Sequence, residues 1–254
     1  MLTKNQIKHI SSLKIGKYRK ESGEFVAEGS KVVEELLASK IEVLGVYVTK
    51  NWVAKNRSFN FAFAPEEVSE STMERMSQLT QPPGILAHAR IPASKALPKR
   101  KFGRLSLALD GINDPGNLGT IIRTAEWFGV NDIFCSPDTV EAFHPKVVQS
   151  AMGSLFRMNT HEIALDHLLQ DAIGQKVTIY SALMDGQNLY SCKLKAEPVM
   201  VVIGSESHGI RHYLTPFLGQ AITIPAFNRS RPESLNASIA TALILAELNR
   251  QFNS

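Results

Sequence analysis

The chain is poor in cysteine, has no long apolar run, and lacks the common glycine signatures of nucleotide-binding sites. Two cysteines, Cys135 and Cys192, stand in 254 residues. They make no pair at metal-ligand spacing and no disulfide framework, so a reduced, cytoplasmic setting is expected. No apolar stretch approaches about 20 residues, so no membrane span or membrane partner is expected. The opening residues, Met1-Leu-Thr-Lys-Asn-Gln-Ile-Lys8, lack the apolar core and cleavage site of a secretion signal. There is no Gly-x-Gly-x-x-Gly, which removes the usual dinucleotide fingerprint. Gly111 and Gly116 are followed by Asn-Leu, where a phosphate-binding loop needs Lys and then Ser or Thr. No Gly-x-Ser-x-Gly elbow occurs. His208 has no second ligand at metal spacing, so no metal centre is expected. Internal repeats and low-complexity tracts are also missing.

What remains is an ordinary globular composition, 44% hydrophobic and 20% charged, long enough for two modest domains. The net charge of +4 is unevenly spread. Residues 1–104 carry 18 Lys and Arg against 10 Asp and Glu, and residues 105–254 carry 10 against 14. A basic first part fits a polyanionic partner, although a solvated basic surface fits the same count. Residues 3–15 read as a helix with Ile7, Ile10 and Leu13 on one side. Lys17-Tyr-Arg-Lys20 follows at once. Basic groups beside an aromatic suit a phosphate backbone and a base face, which makes Lys14, Lys17, Arg19 and Lys20 candidate RNA contacts. A solvated helix end with a packed tyrosine is the competing reading.

Elements alternate along the first part. Strands are expected at 25–29, 43–48, 60–64 and 85–91, and helices from Ser30, as its cap, and at 71–79. This describes a small α/β domain over residues 1–91. Residues 92–104 hold two prolines and five basic residues without a period, which marks a basic linker. Residues 105–254 form the second domain. Strands are expected at 105–109, 132–135, 177–183, 199–203 and 221–224, and helices after Gly116 and at 144–152, 166–173 and 235–250. The continuous apolar run Val199-Met-Val-Val-Ile203 fits a central parallel strand covered on both faces. Residues 237–248 are apolar nearly all round, so the last helix is buried on several sides, within the body or at a dimer interface.

Three stretches carry the chemistry. The first is the strand ending at Leu109, the break at Gly111, Pro115 and Gly116, and a helix with Asn117 as its cap. Arg123 lies off that helix's apolar stripe. The second is Val202-Ile-Gly-Ser-Glu-Ser-His-Gly-Ile210, where glycines let a ligand approach the backbone. The third runs from Ile222 through Ile224-Pro225 and a basic loop to Ser234-Leu-Asn-Ala-Ser238. Ser234 there is also a candidate helix cap.

In this order and spacing, the stretches resemble the three motifs of the SpoU/TrmH family of SPOUT-class RNA methyltransferases. Asn117-Leu-Gly-Thr-Ile-Ile-Arg123 is similar to the first, Ile203-Gly-Ser-Glu-Ser-His-Gly209 to the second, and Ile224-Pro225 with Ser234-Leu-Asn-Ala-Ser238 to the third. Residues 1–91 resemble the substrate-binding domain of rRNA-directed members, which has a fold like some ribosomal RNA-binding proteins. The resemblance implies an α/β fold with a SPOUT parallel sheet and a deep trefoil knot at its C-terminal end. It implies a homodimer built on that domain, S-adenosyl-L-methionine as cofactor, and a ribose 2′-hydroxyl in structured RNA, foremost ribosomal RNA, as methyl acceptor.

The same resemblance assigns Ser181, Ala182, Gly204, Ile224 and Leu235 to the cofactor, and Arg123, Asn117, Glu206, Ser234 and Asn236 to catalysis. Arg123 corresponds to the family's essential arginine. Because a guanidinium keeps its proton, it is expected to position the ribose oxygen and the neighbouring phosphate. The chain departs from the family at Ala226-Phe-Asn-Arg-Ser-Arg-Pro-Glu233, a longer and more basic loop, where Arg229 and Arg231 are expected to meet phosphates. Two other readings compete: a non-catalytic RNA-binding or ribosome-assembly factor on this fold, and a base methyltransferase of the SPOUT class.

Overall fold

The computed structural model describes residues 2–61, 64–93, 102–194, 198–227 and 234–253. Its contacts divide the chain into two units, Met1–Ser94 with Glu141–Arg157, and Lys95–Val140 with Met158–Ser254.

The first unit begins with α1 (Lys4–Ser12), held at its start by a capping box. The Thr3 side chain accepts the Gln6 N–H while the Gln6 side chain accepts the Thr3 N–H. Its apolar side buries Ile7 and Ile10, and Leu13 follows them into the core. The order continues α2 (Gly16–Ser22), β1 (Glu24–Glu28), α3 (Ser30–Leu37), β2 (Val43–Thr49), α4 (Lys50–Lys55), β3 (Glu66–Val68), α5 (Glu70–Met76) and β4 (Ile85–Arg90). The sheet runs β1-β4-β2-β3, antiparallel except for the β2–β3 pair. Ile7, Ile10, Leu13, Val26, Met73, Met76 and Leu86 form a core between helices and sheet.

The strand foreseen at 60–64 includes residues 62 and 63, outside the described residues, and the third strand instead occupies 66–68. The Lys17–Lys20 run forms a short second helix, and α4 was not foreseen at all. Ser30 is the first helical residue of α3, behind the positive-φ Gly29, and its hydroxyl accepts the Trp52 indole N–H at 3.0 Å.

The second unit contains β5 (Leu105–Asp110), α6 (Pro115–Trp127) and β6 (Asp132–Cys135). Next comes α7 (Pro145–Ser150), which lies in the segment belonging to the first unit. β7 (Asn159–Glu162), α8 (Leu165–Gly174), β8 (Thr178–Asn188), β9 (Val199–Gly204), β10 (Gln220–Thr223) and α9 (Ala237–Phe252) complete the chain. Among the described residues, six strands lie in the order β10-β8-β9-β5-β6-β7, and every neighbouring pair is parallel. All carboxyl ends therefore line one edge. β5 and β9, at the centre, are buried along nearly their whole length, which explains their unbroken apolar sequences. The short polar β7, Asn-Thr-His-Glu, gives no apolar signal and was missed.

Residues 141–157 depart from an expected second domain of 105–254. Phe25, fully buried on β1, packs its ring 4.8 Å from Phe143 and 6.0 Å from Phe156. Arg157 pairs with Glu35 of α3. Of the expected linker, residues 94–101 lie outside the described residues.

Candidate active site

The carboxyl end of β5 opens onto a short loop, and α6 begins at Pro115. Asp114, not Asn117, is its cap: the Asp114 carboxylate accepts the Asn117 N–H at 2.7 Å. That frees the Asn117 side chain, one turn into the helix, to reach across the fold. Its amide Nδ2 donates to Glu206 Oε1 at 2.5 Å. Asn236 Nδ2 donates to Asn117 Oδ1 at 2.9 Å and to Glu206 Oε1 at 3.2 Å. The Ala237 N–H donates to the same Glu206 oxygen at 3.2 Å. Residues from the three sequence stretches thus meet in one triangle. Glu206 sits at the start of the 16-residue α9, where the helix dipole and exposed N–H groups favour a negative charge. Asn236 is itself the α9 cap, its Oδ1 accepting the N–H groups of Ser238 and Ile239. The helix therefore starts at Ala237, and Ser234 is an exposed bend residue before it, not the cap.

Arg123 lies on the exposed side of α6, six residues and about 9 Å of helix beyond Asn117. Among the described residues it makes no hydrogen bond or ion pair. The structure does not bring it into the triangle; it leaves the guanidinium open to solvent on the same helix.

The loop after β9 is shaped by two glycines. Ser205 bridges back to Gly209, which adopts a left-handed φ of 64°. A Cβ on Gly204 would lie 2.1 Å from the Gly209 carbonyl carbon, so no side chain fits there. Just beyond, Arg211 locks this turn to β5, a feature the sequence reading missed because it stopped at Ile210. Its main-chain N–H and Nε donate to the two Asp110 oxygens at 2.8 and 2.7 Å, and Nη1 and Nη2 reach Asp138 at 3.1 and 2.9 Å. The hydrogen bonds to buried Asp110 push the Arg211 pKa above its already high ordinary value.

The residues expected around a cofactor fall on one edge. β10, β8 and β9 are adjacent; Gly204 ends β9, Ile224 follows β10, and Ser181 with Ala182 stand where β8 leaves its pairing with β9. β8 pairs with β10 at 180–181 and again at 187–188, so 182–186 leave the ladder between. Buried Ser181 donates to the Leu218 carbonyl at 3.0 Å. Leu235 is 46% exposed. A contiguous row of strand ends beside a helix start is where open parallel sheets hold ligands through backbone groups.

The basic run is divided. Lys14, Lys17 and Lys20 are exposed. Arg19 is only 2% exposed and is removed from the RNA contacts. Its Nε and Nη2 donate to Glu141 at 3.0 and 2.8 Å, and Nη1 donates to the Leu13 carbonyl at 2.6 Å. An open groove of about 580 Å³ between α1 and α5 adds Lys4, Lys8 and Arg75 to the exposed basic surface of this unit. Arg229 and Arg231 lie outside the described residues. Among the described residues, no helix is long and apolar enough to cross a membrane.

Comparison with known proteins places this geometry. Residues 104–246 match the model of the SpoU rRNA Methylase family, and residues 4–87 match the MRM3-like substrate binding domain. The chain is 27% identical over 246 residues to the 23S rRNA (guanosine(2553)-2′-O)-methyltransferase RlmP of Bacillus subtilis, covering 96% of each chain. A putative RNA methyltransferase of the TrmH family from Porphyromonas gingivalis superposes with a TM-score of 0.87 at 36% identity, over 99% of both chains. The AdoMet-bound rRNA methyltransferase from Sinorhizobium meliloti superposes with a TM-score of 0.81 at 28% identity, over 100% of this chain and 97% of that one.

Proposed function

The chain belongs to the SpoU rRNA methylase family, and from that premise we propose how its residues divide the work. The protein is an S-adenosylmethionine-dependent RNA 2′-O-ribose methyltransferase acting on ribosomal RNA. When bound, the cofactor supplies an electrophilic methyl group on sulfur. Ser181, Ala182, Gly204, Ile224 and Leu235 would hold it, chiefly through backbone groups. Asn117, Glu206 and Asn236 form the rigid wall of the pocket, and Ser234 lines the entrance beside them.

Arg123 stands at the reacting ribose. A guanidinium offers donors and no acceptor, so Arg123 acts by donating hydrogen bonds to the ribose oxygen and the adjacent phosphate. Charge developing on that oxygen is thereby stabilised, and the nucleophile is aligned with the methyl donor. The observation that carries this division is the contrast on α6: Asn117 is fully engaged in the triangle, while Arg123 is open to a ligand.

Three further parts belong to the same reading. The first is a deep trefoil knot at the C-terminal end of the sheet. Its support is the match to the SpoU family, whose resemblance implies it. The second is a homodimer through the C-terminal unit. Trp127 on α6 is 84% exposed, and Ile239 and Leu243, one turn apart on α9, are 52% and 37% exposed. The third is RNA binding by the first unit through Lys14, Lys17 and Lys20, joined by Arg229 and Arg231 of the basic loop.

The test is transfer of labelled methyl from S-adenosylmethionine to unmodified ribosomal RNA, followed by mass spectrometry of the nucleosides. A 2′-O-methyl nucleoside is the expected product. A methylated base would overturn the ribose assignment.

A further inference from the structure

Three side chains far apart in sequence converge on the first unit. Glu24 opens β1, His88 lies on β4, and His9 lies on α1. Glu24 pairs with Arg90 in the antiparallel ladder, so His88, two residues before Arg90, shares its face of the sheet. His9 reaches that face from the helix. His9 Nε2 lies 2.6 Å and His88 Nε2 lies 2.8 Å from one atom, Glu24 Oε2. The three ligand atoms all fall within 4.8 Å of one another, and the two rings meet edge to face at 5.8 Å.

We propose that His9, Glu24 and His88 form a binding site for a borderline transition-metal dication of the zinc class, tying α1 to the sheet. Two imidazole nitrogens and a carboxylate oxygen make a three-ligand set that leaves one tetrahedral position for water. The exposure gradient provides for that position: the His9 side chain is 44% exposed, against 15% for Glu24 and 11% for His88. Ion entry needs a lone pair at each Nε2, so each ring must carry its proton on Nδ1. Among the described residues no hydrogen bond engages either Nδ1; moving each proton there gives up the two Nε2–H···Oε2 hydrogen bonds to Glu24, and the bonds to the metal replace them.

Ligands around a tetrahedral zinc sit about 3.3 Å apart, so the two Nε2–Oε2 edges, 2.6 and 2.8 Å, lengthen by about half an ångström on binding. Arg90, whose Nη1 is 3.9 Å from Glu24 Oε1, is the opposing charge beside the site. It makes the site weaker than a closed structural zinc cluster.

Metal-free, full-length protein without an affinity tag is titrated with Zn²⁺ by calorimetry and with Co²⁺ by visible absorption. One equivalent of zinc and the intense absorption of four-coordinate cobalt are expected. His9→Gln and His88→Gln should each weaken zinc binding ten-fold or more and remove the cobalt bands. His9→Gln is the decisive variant, because its exposed side chain can change without unfolding the unit, as its metal-free circular dichroism checks. Absence of stoichiometric zinc binding in the wild type, or unchanged affinity in His9→Gln, overturns the site.

Discussion

Arg19 on α2 is a candidate RNA contact by sequence and Arg123 on α6 a candidate catalytic residue, and the structure treats them oppositely. Arg19 is buried, and each of its nitrogens donates to Glu141 or to the Leu13 carbonyl. Arg123 is exposed, with no partner among the described residues. A buried guanidinium with every nitrogen engaged inside the protein is not presented to a phosphate, so Arg19 serves folding. One left open beside a rigid wall is available for chemistry. A basic residue in a motif is thus not yet a binding residue; burial and the count of satisfied donors decide.

The contrast can be broken from either side. The largest effect is expected at the buried arginine. Glu141→Ala leaves Arg19 uncompensated and should destabilise the protein by about 3 kcal/mol, read by denaturant unfolding. The salt dependence of its RNA affinity should stay that of the wild type. Arg123→Ala should do the reverse. Its single-turnover methylation rate should fall about 100-fold, roughly 2.7 kcal/mol of barrier, with the melting temperature unchanged. Asn236→Ala lies between, since Asn236 both caps α9 and closes the triangle. It should cost about 1 kcal/mol of stability and weaken cofactor binding in calorimetry.

Smaller still are the exposed lysines. Lys17→Ala and Lys20→Ala should each lower the slope of log affinity against log salt by about 0.7–0.9, without altering folding.

The first unit should also respond to acid. Burial lowers the His88 pKa, more than its bond to Glu24 raises it. Burial raises Glu24, but the hydrogen bonds and charges of His9 and His88 outweigh it, and its carboxyl stays below the ordinary value. Both groups bind fewer protons folded than unfolded, so both stabilise the fold at higher pH. Stability should fall as pH drops below about 6.5, where an unfolded histidine takes its proton, and fall again through the carboxylate range. Thermal melts of metal-free protein between pH 7 and pH 4 read this directly. His88→Gln should flatten the first step.

Much of the second unit was legible because its signals are local and strong. The apolar runs of β5 and β9 and the stripe of Leu118, Ile121, Ile122 and Ala125 each report burial by themselves. The identities of Asn117, Glu206 and Asn236 were legible through the family resemblance. Their mutual hydrogen bonds were not, because no local period links residues 89 and 119 positions apart. Caps were misjudged at α6 and α9 because several capping residue types stand within three positions of each start, and only backbone geometry chooses among them. The capture of residues 141–157 by the first unit depends on Phe25, Phe143 and Phe156 meeting in space, and the convergence of His9, Glu24 and His88 is hidden for the same reason.

The most direct test of the division between wall and reacting group is the single-turnover methylation rate of Arg123→Ala at saturating cofactor and RNA, with cofactor affinity measured alongside. A rate about 100-fold slower with unchanged cofactor affinity is the predicted result. A rate equal to wild type would remove Arg123 from the reacting ribose.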